Sequence, residues 1–144
     1  MKKILVPLDG SEYSFAAARY AIELAKMSRA EVICVHSIVN PPYVDYSSAG
    51  VLIPRYLDEA KLKAESWFAQ VRQNAIREGV ELSTECILDV LSVADSIVSL
   101  AEKEKADLIV IGTRGQSGLK RFLLGSVANG VVAHAHCSVL VVRK

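Results

Sequence analysis

The sequence predicts an α/β fold: a single domain over residues 1–144, built on an open, five-stranded parallel sheet with helices on both faces. Three observations carry that expectation. Five aliphatic or β-branched runs alternate with segments of helical period. Several of those runs are continuously apolar, which suits parallel strands covered on both faces. And 144 residues of 51% hydrophobic composition supply enough apolar material for a two-sided core.

The strands are expected at 3–8, 31–37, 81–88, 107–111 and 138–142. Ser11 is an N-cap candidate for the first helix, which runs to about Met27 with Phe15, Ala18, Ile22 and Ala25 on its inner stripe. The second helix covers about 55–78; Leu57, Ala60, Ala64, Trp67, Val71 and Ala75 share one face, and Gly79 stops it. Ser92 can cap a third helix over 93–105, and a fourth runs from Ser126 to near His134. Between Val39 and Pro54 lies a long connection of no clean period, the kind that is usually mobile or functional. Such alternation implies right-handed crossovers. A strand order of 3-2-1-4-5 then sets the first and fourth strands side by side, and ligands bind beyond the carboxyl ends where the winding reverses.

Composition narrows the functional classes. With 17 Lys plus Arg against 16 Asp plus Glu there is no excess of positive charge, so nucleic acid is not an expected partner. Cys34, Cys86 and Cys137 sit in or beside apolar runs and read as reduced thiols of a cytoplasmic protein. No run approaches the ~20 apolar residues of a membrane span, so membrane insertion is not expected.

The most informative stretch is 112–126, with glycines at 112, 115, 118 and 125 and a serine after the last. It leaves the apolar run Leu108–Ile111 and ends where a helical pattern begins. A glycine-containing loop before a helix N-terminus can wrap an anion with backbone N–H groups. Gly112 and Gly115 let the chain turn and approach a ligand closely. Ser126 can cap the helix with its hydroxyl or offer that hydroxyl to a phosphate oxygen. Arg114, Lys120 and Arg121 can neutralise phosphate charge or stand as ordinary loop cations. The pattern is not a Walker A loop, since GxxxxGK[ST] is absent.

Asp9 ends the first strand, opposite this loop. It can accept from a ribose or base, cap the first helix, or help hold a divalent cation. His36 falls in a predicted buried strand, where a hydrogen-bonded core histidine is the default reading. His134, His136 and Cys137 have no second ligand cluster at zinc spacing, so no metal site is assigned. No Ser–His–Asp arrangement, HExxH or paired carboxylates appear, and no catalytic residue is assigned.

Gly112-x2-Gly115-x9-Gly125-Ser126 resembles the G-2x-G-9x-G-[S/T] pattern of the universal stress protein family. The run from Lys3 to Ser11 resembles that family's first strand and the run from Cys137 to Val142 its last, so the likeness spans the chain. The resemblance implies a Rossmann-like fold of the adenine nucleotide alpha hydrolase-like type, in a small cytoplasmic, often homodimeric protein. It implies ATP as ligand, with Mg2+ or Mn2+. Pro7, Asp9 and Ser37 would line the nucleoside pocket, and Ile111, Gly112, Thr113, Arg114, Gly115, Gln116 and Ser117 would wrap ribose and phosphates. Gly125, Ser126 and Val127 would hold phosphate. The implied function is a nucleotide-responsive regulatory module that acts on a protein partner. The alternatives are a slow ATPase or autophosphorylating enzyme, and a nucleotide-free interaction protein. Three departures stand out: Ser37 where the family commonly has an apolar residue against the base, Leu91-Ser92-Val93 for a Gly-x-Pro, and Ser138 for a proline before the last strand. That strand's apolar edge, without charge or proline, invites pairing into a two-fold dimer.

Overall fold

The computed structural model describes residues 1–39, 49–114 and 124–144. In chain order its elements are β1 (Lys3–Pro7), α1 (Glu12–Ser28), β2 (Glu31–Val39), α2 (Ala49–Glu78), β3 (Leu82–Val90), α3 (Val93–Lys103), β4 (Leu108–Gly112), α4 (Ser126–His134) and β5 (Ser138–Val142). The strands form one sheet in the order β3-β2-β1-β4-β5, and every neighbouring pair is parallel.

Strand periodicity divides the core. Ile4 and Val6 of β1 face one side with Val32 and Cys34 of β2, and there they meet Ala17, Ala21 and Ile22 of α1 and Phe68 of α2. Leu5, Ile33, Val35 and Ile109 face the other side, against Ile97 and Leu100 of α3 and Val131 of α4. The crossovers through α1 and α2 thus lie on one face and those through α3 and α4 on the other, so the winding reverses between β1 and β4. Small residues let α1 lie close to the sheet; its inner face is broader than the expected stripe, with Ala16, Ala17 and Ala21 buried and Phe15 only half-buried. The cysteines are free. Burial pushes the Cys34 thiol up to about 12, so it stays protonated, while Cys86 and Cys137 are half-buried.

Several boundaries depart from the sequence expectation by one or two residues, and the start of α2 departs by more. β2 continues past Ser37 to Val39, because its pairing with β3 resumes after a register shift between Ser37 and Val39. The second helix begins at Ala49, with Pro54 inside it, so only 40–48 of the long connection lie outside the described residues. A proline removes one i→i−4 bond. Here that bond lies near the helix start, and the stripe through Ala64, Phe68, Val71 and Ala75 anchors the rest. Gly79 ends the helix as its sequence suggests: it adopts φ +70°, and the Val80 N–H reaches the Ala75 carbonyl at 2.9 Å.

Candidate functional site

Beyond the carboxyl ends of β1, β2 and β4 lies a cavity of about 280 Å³. It occupies the point of winding reversal, where this class of sheet places its ligands. Pro7, Asp9 and Ser37 form one side of the lining; Ile111, Gly112, Arg114, Gly125, Ser126 and Val127 form the other. Residues that the sequence places far apart thus converge here.

The β1 side is a closed hydrogen-bonded turn. Asp9 Oδ1 accepts from the Ser11 N–H at 2.9 Å, and the Asp9 N–H donates to Ser14 Oγ at 3.3 Å. Ser11 Oγ accepts from the Ser14 N–H at 3.1 Å, which caps α1, while the Ser14 hydroxyl donates to the Ser11 carbonyl at 2.8 Å. Asp9 therefore supports the turn that starts α1, and Ser11 is the cap itself. Between them Gly10 takes φ +82° directly under the Trp67 indole; a Cβ there would come 2.8 Å from Nε1 and nearer still to Cε2. Trp67 leans edge-on against His36, ring centroids 5.1 Å apart at 86°. It is half-buried at this turn, and Phe68 beside it fills the core.

His36 is the hydrogen-bonded histidine its strand position suggests. Its Nδ1 lies 2.8 Å from the Leu8 carbonyl, which can only accept, so Nδ1 carries the proton. Burial lowers its pKa below the ordinary value, against the opposing pull of that bond and of Asp9.

The β4 side is built differently. Gly112 sits against α1: a Cβ would lie 2.8 Å from the Tyr13 carbonyl oxygen and from Tyr13 Cβ. Close packing, not a turn conformation, requires glycine there. The Thr113 N–H donates to the Val142 carbonyl at 3.0 Å, and the Thr113 carbonyl accepts from the Gly125 N–H at 2.7 Å, which pins the two ends of the loop together. Thr113 is not on the cavity lining; its backbone is the clamp. Arg114 holds its guanidinium over the Tyr13 ring, 5.8 Å from the centroid. Gly115, Gln116 and Ser117, with Lys120 and Arg121, lie outside the described residues.

At α4 the N-cap is Gly125, and no side chain among the described residues caps the helix. Ser126 is the first helical residue, exposed on the cavity wall, so the capping role open to it in the sequence is not the one it takes. The start of α4 thus presents its first-turn N–H groups and the positive end of its dipole to the cavity.

Sequence reasoning missed several lining residues, His36 and Ala128 among them. Ser14 follows the cap Ser11 at the Ser-x-x-Ser spacing in which each serine bonds the other's backbone. Leu8 and Val35 close the floor, and Val93 and Ile97 of α3 give an apolar wall at the end nearest Ser37. The i, i+4 spacing of Val93 and Ile97 on α3 is the local signal that could have found the last two. Ser92 caps α3, accepting from the Asp95 N–H at 3.2 Å. Among the described residues no three His, Cys, Asp or Glu side chains converge on a metal-sized site, and no helix is long and apolar enough to cross a membrane.

With this geometry in place, the glycine spacing, strand order and cavity can be set beside known proteins. The model of the universal stress protein family matches residues 1–143. The chain belongs to the universal stress protein family. Among family members it is 45% identical to universal stress protein MJ0531 of Methanocaldococcus jannaschii, over 99% of this chain and 82% of that one. Universal stress protein UspA from Lactobacillus plantarum has a similar structure, with a TM-score of 0.89 at 28% identity over 99% of this chain and 97% of that one. A universal stress protein from Archaeoglobus fulgidus, solved in complex with dAMP, superposes with a TM-score of 0.73 at 25% identity over 98% of this chain and 97% of that one.

Proposed function

We propose that this protein is a nucleotide-responsive regulatory module that binds ATP in the cavity between β1, β2 and β4. One observation carries the reading: the start of α4, whose N-cap Gly125 has no side chain to cap it, forms a wall of the cavity at the reversal point of the sheet. The arrangement suits a phosphate-bearing ligand, because first-turn N–H groups without a side-chain cap bind an anion at no cost to the helix. The apolar end, between Val35, Val93 and Ile97, suits a flat base. The dAMP complex of the Archaeoglobus fulgidus relative supports an adenine nucleotide as the ligand class.

A divalent ion, Mg2+ or Mn2+, would arrive on the phosphates. Asp9 is the one carboxylate on the lining among the described residues, and its Oδ1 already receives the Ser11 N–H. The donor set therefore fits an ion held mainly by phosphate oxygens better than a protein cage. The wall is built to bind, and the regulatory output would be a change in how the surface around the loop meets a protein partner. Two copies would pair through β5, an edge strand whose Leu140 is exposed. Sedimentation at micromolar concentration should then show a dimer, and a monomer would remove that part of the proposal.

The direct test is thermal melting with and without ATP and Mg2+. A ligand at 100 times its Kd should stabilise the protein by about 2.7 kcal/mol. Ser126→Asp separates the site from the fold. A carboxylate at the first turn of α4 favours the free helix by about 0.3–1 kcal/mol, yet it repels phosphate. The variant should melt no lower than wild type without ligand and lose most of the ATP-induced shift. A wild type unmoved by millimolar ATP, or a Ser126→Asp variant that binds as wild type does, would overturn the reading.

A further inference from the structure

The base end of the cavity contains a polar pair whose hydrogen-bond polarity is fixed by the structure. Ser37 is buried at the end of β2 and lies on the lining. Its Oγ is 2.7 Å from Oγ of Ser96, a residue of α3 that is not on the lining. Ser96 Oγ in turn lies 2.7 Å from the Val93 carbonyl. A serine hydroxyl has one proton, and a carbonyl can only accept. The Ser96 proton therefore goes to Val93, and the contact between the hydroxyls requires Ser37 to donate to Ser96. Ser37 is left with lone pairs alone to offer the cavity.

Resting on the nucleotide reading above, the geometry points to Ser37 as an acceptor that selects 6-aminopurines over 6-oxopurines, with Ser96 as the positioning residue that fixes its polarity. Strands of a sheet lie about 4.8 Å apart. The order β2-β1-β4 therefore sets Ser37 about 10 Å from the end of β4, across the width of the cavity. With phosphate at α4, the base falls at the opposite end, between Ser37 and the apolar wall of Val93 and Ile97. Adenine carries an amine donor at its 6-position, whereas guanine and hypoxanthine carry a carbonyl oxygen there. An amine meets the Ser37 lone pairs as a hydrogen bond. An oxo group meets them acceptor to acceptor, which is the costlier mismatch. The departure of Ser37 from an apolar residue thus adds a polarity filter to an otherwise apolar base site.

Ser96 gives the decisive variant, since it touches neither the cavity nor the ligand. Without its oxygen the Ser37 proton has no partner in α3, and the hydroxyl can turn to donate to an oxo group. The experiment compares ATP and ITP, whose bases differ in the 6-substituent, amine against oxo, and in the N1 proton that accompanies the oxo form, by isothermal titration of the whole protein with Mg2+. Wild type should prefer ATP by about tenfold or more. Ser96→Ala should bring the ratio to within about threefold, chiefly by tightening ITP, while Ser96→Thr, which keeps the hydroxyl, should hold the wild-type ratio. Ser37→Ala should also erase the preference, but by weakening ATP. A general loosening of α3 would weaken both nucleotides together and leave their ratio unchanged. If wild type binds neither nucleotide, the nucleotide reading fails and this proposal with it. If wild type binds both equally, or Ser96→Ala keeps the tenfold ratio, the polarity filter alone is wrong.

Discussion

The two walls of the cavity use opposite strategies. On the β1 side the backbone is tied to itself: Asp9, Ser11 and Ser14 satisfy one another's polar groups, and Trp67 covers Gly10. On the α4 side the loop ends are clamped through Thr113 and Gly125, but no side chain among the described residues caps the helix. The same device, a serine at a helix start, is used for stability in one place and withheld in the other. Ser11 caps α1 with its hydroxyl; Ser126 stands one position inside α4 and leaves the first turn open. The contrast teaches where to seek a ligand in such a fold. On the proposed reading, affinity for an anion would reside in the wall whose helix start carries no side chain at its N-cap, and the closed wall opposite would keep the crevice in shape.

The largest expected effect breaks the closed wall. Gly10→Ala forces a left-handed residue to carry a Cβ and drives that Cβ into Trp67. The left-handed penalty is about 1–2 kcal/mol and overpacking about 1–3 kcal/mol, so chemical denaturation should show a loss of about 2–5 kcal/mol. Trp67 is the chain's one tryptophan, so its emission reports the same event locally. A loss below ~1 kcal/mol would mean that the indole yields easily and that the wall is softer than its hydrogen bonds imply.

A paired comparison sharpens the contrast between the helix starts. Ser11→Ala removes the acceptor of the Ser14 N–H and should cost about 1 kcal/mol of stability. Ser126→Ala removes no cap and, as an exposed first-turn change, should stay within about 0.5 kcal/mol of wild type without ligand. Equal losses in denaturant unfolding would erase the distinction, because Ser126 would then be a structural cap after all.

Much of this was legible in the chain, and what was not has physical causes. Parallel strands buried on both faces leave continuous apolar runs, so Ile4 to Val6 and Ile109 to Ile111 announced the sheet, and alternation with helices announced its order. Glycine spacing together with topology placed Gly112 and Gly125 opposite Asp9. The start of α2 was not legible. A proline reads as a helix end, and whether a helix tolerates Pro54 depends on packing farther along it. Nor was the role of Gly112, since a glycine needed to let Tyr13 approach looks in sequence like one needed for a turn. The pairing of Ser37 with Ser96 joins residues 59 positions apart on different elements, and no local period signals a contact of that kind.

The smallest effect concerns His36, where the closed wall meets the cavity. Burial lowers the pKa of His36 from its ordinary 6.5, while the Leu8 bond and the nearby Asp9 pull it the other way. The unfolded chain therefore takes up a proton at higher pH than the folded one does. With the unfolded state binding more protons, stability falls as pH falls. The contribution of His36 is complete above about pH 6.5 and is lost as pH drops from there through the lower folded pKa. Paired carboxylates such as Glu78 and Asp107, whose pKa values lie below the ordinary 4.5 and 3.8, act in a separate and more acidic window. His36→Asn keeps an N–H to aim at the Leu8 carbonyl but does not titrate. Between pH 7.5 and 5.5 wild type should lose more melting temperature than this variant, and its Trp67 emission should change over the same interval because the two rings are in edge contact. Parallel melting curves would show that His36 keeps the same proton affinity folded and unfolded. The closed wall would then be wetter than the burial of its histidine implies.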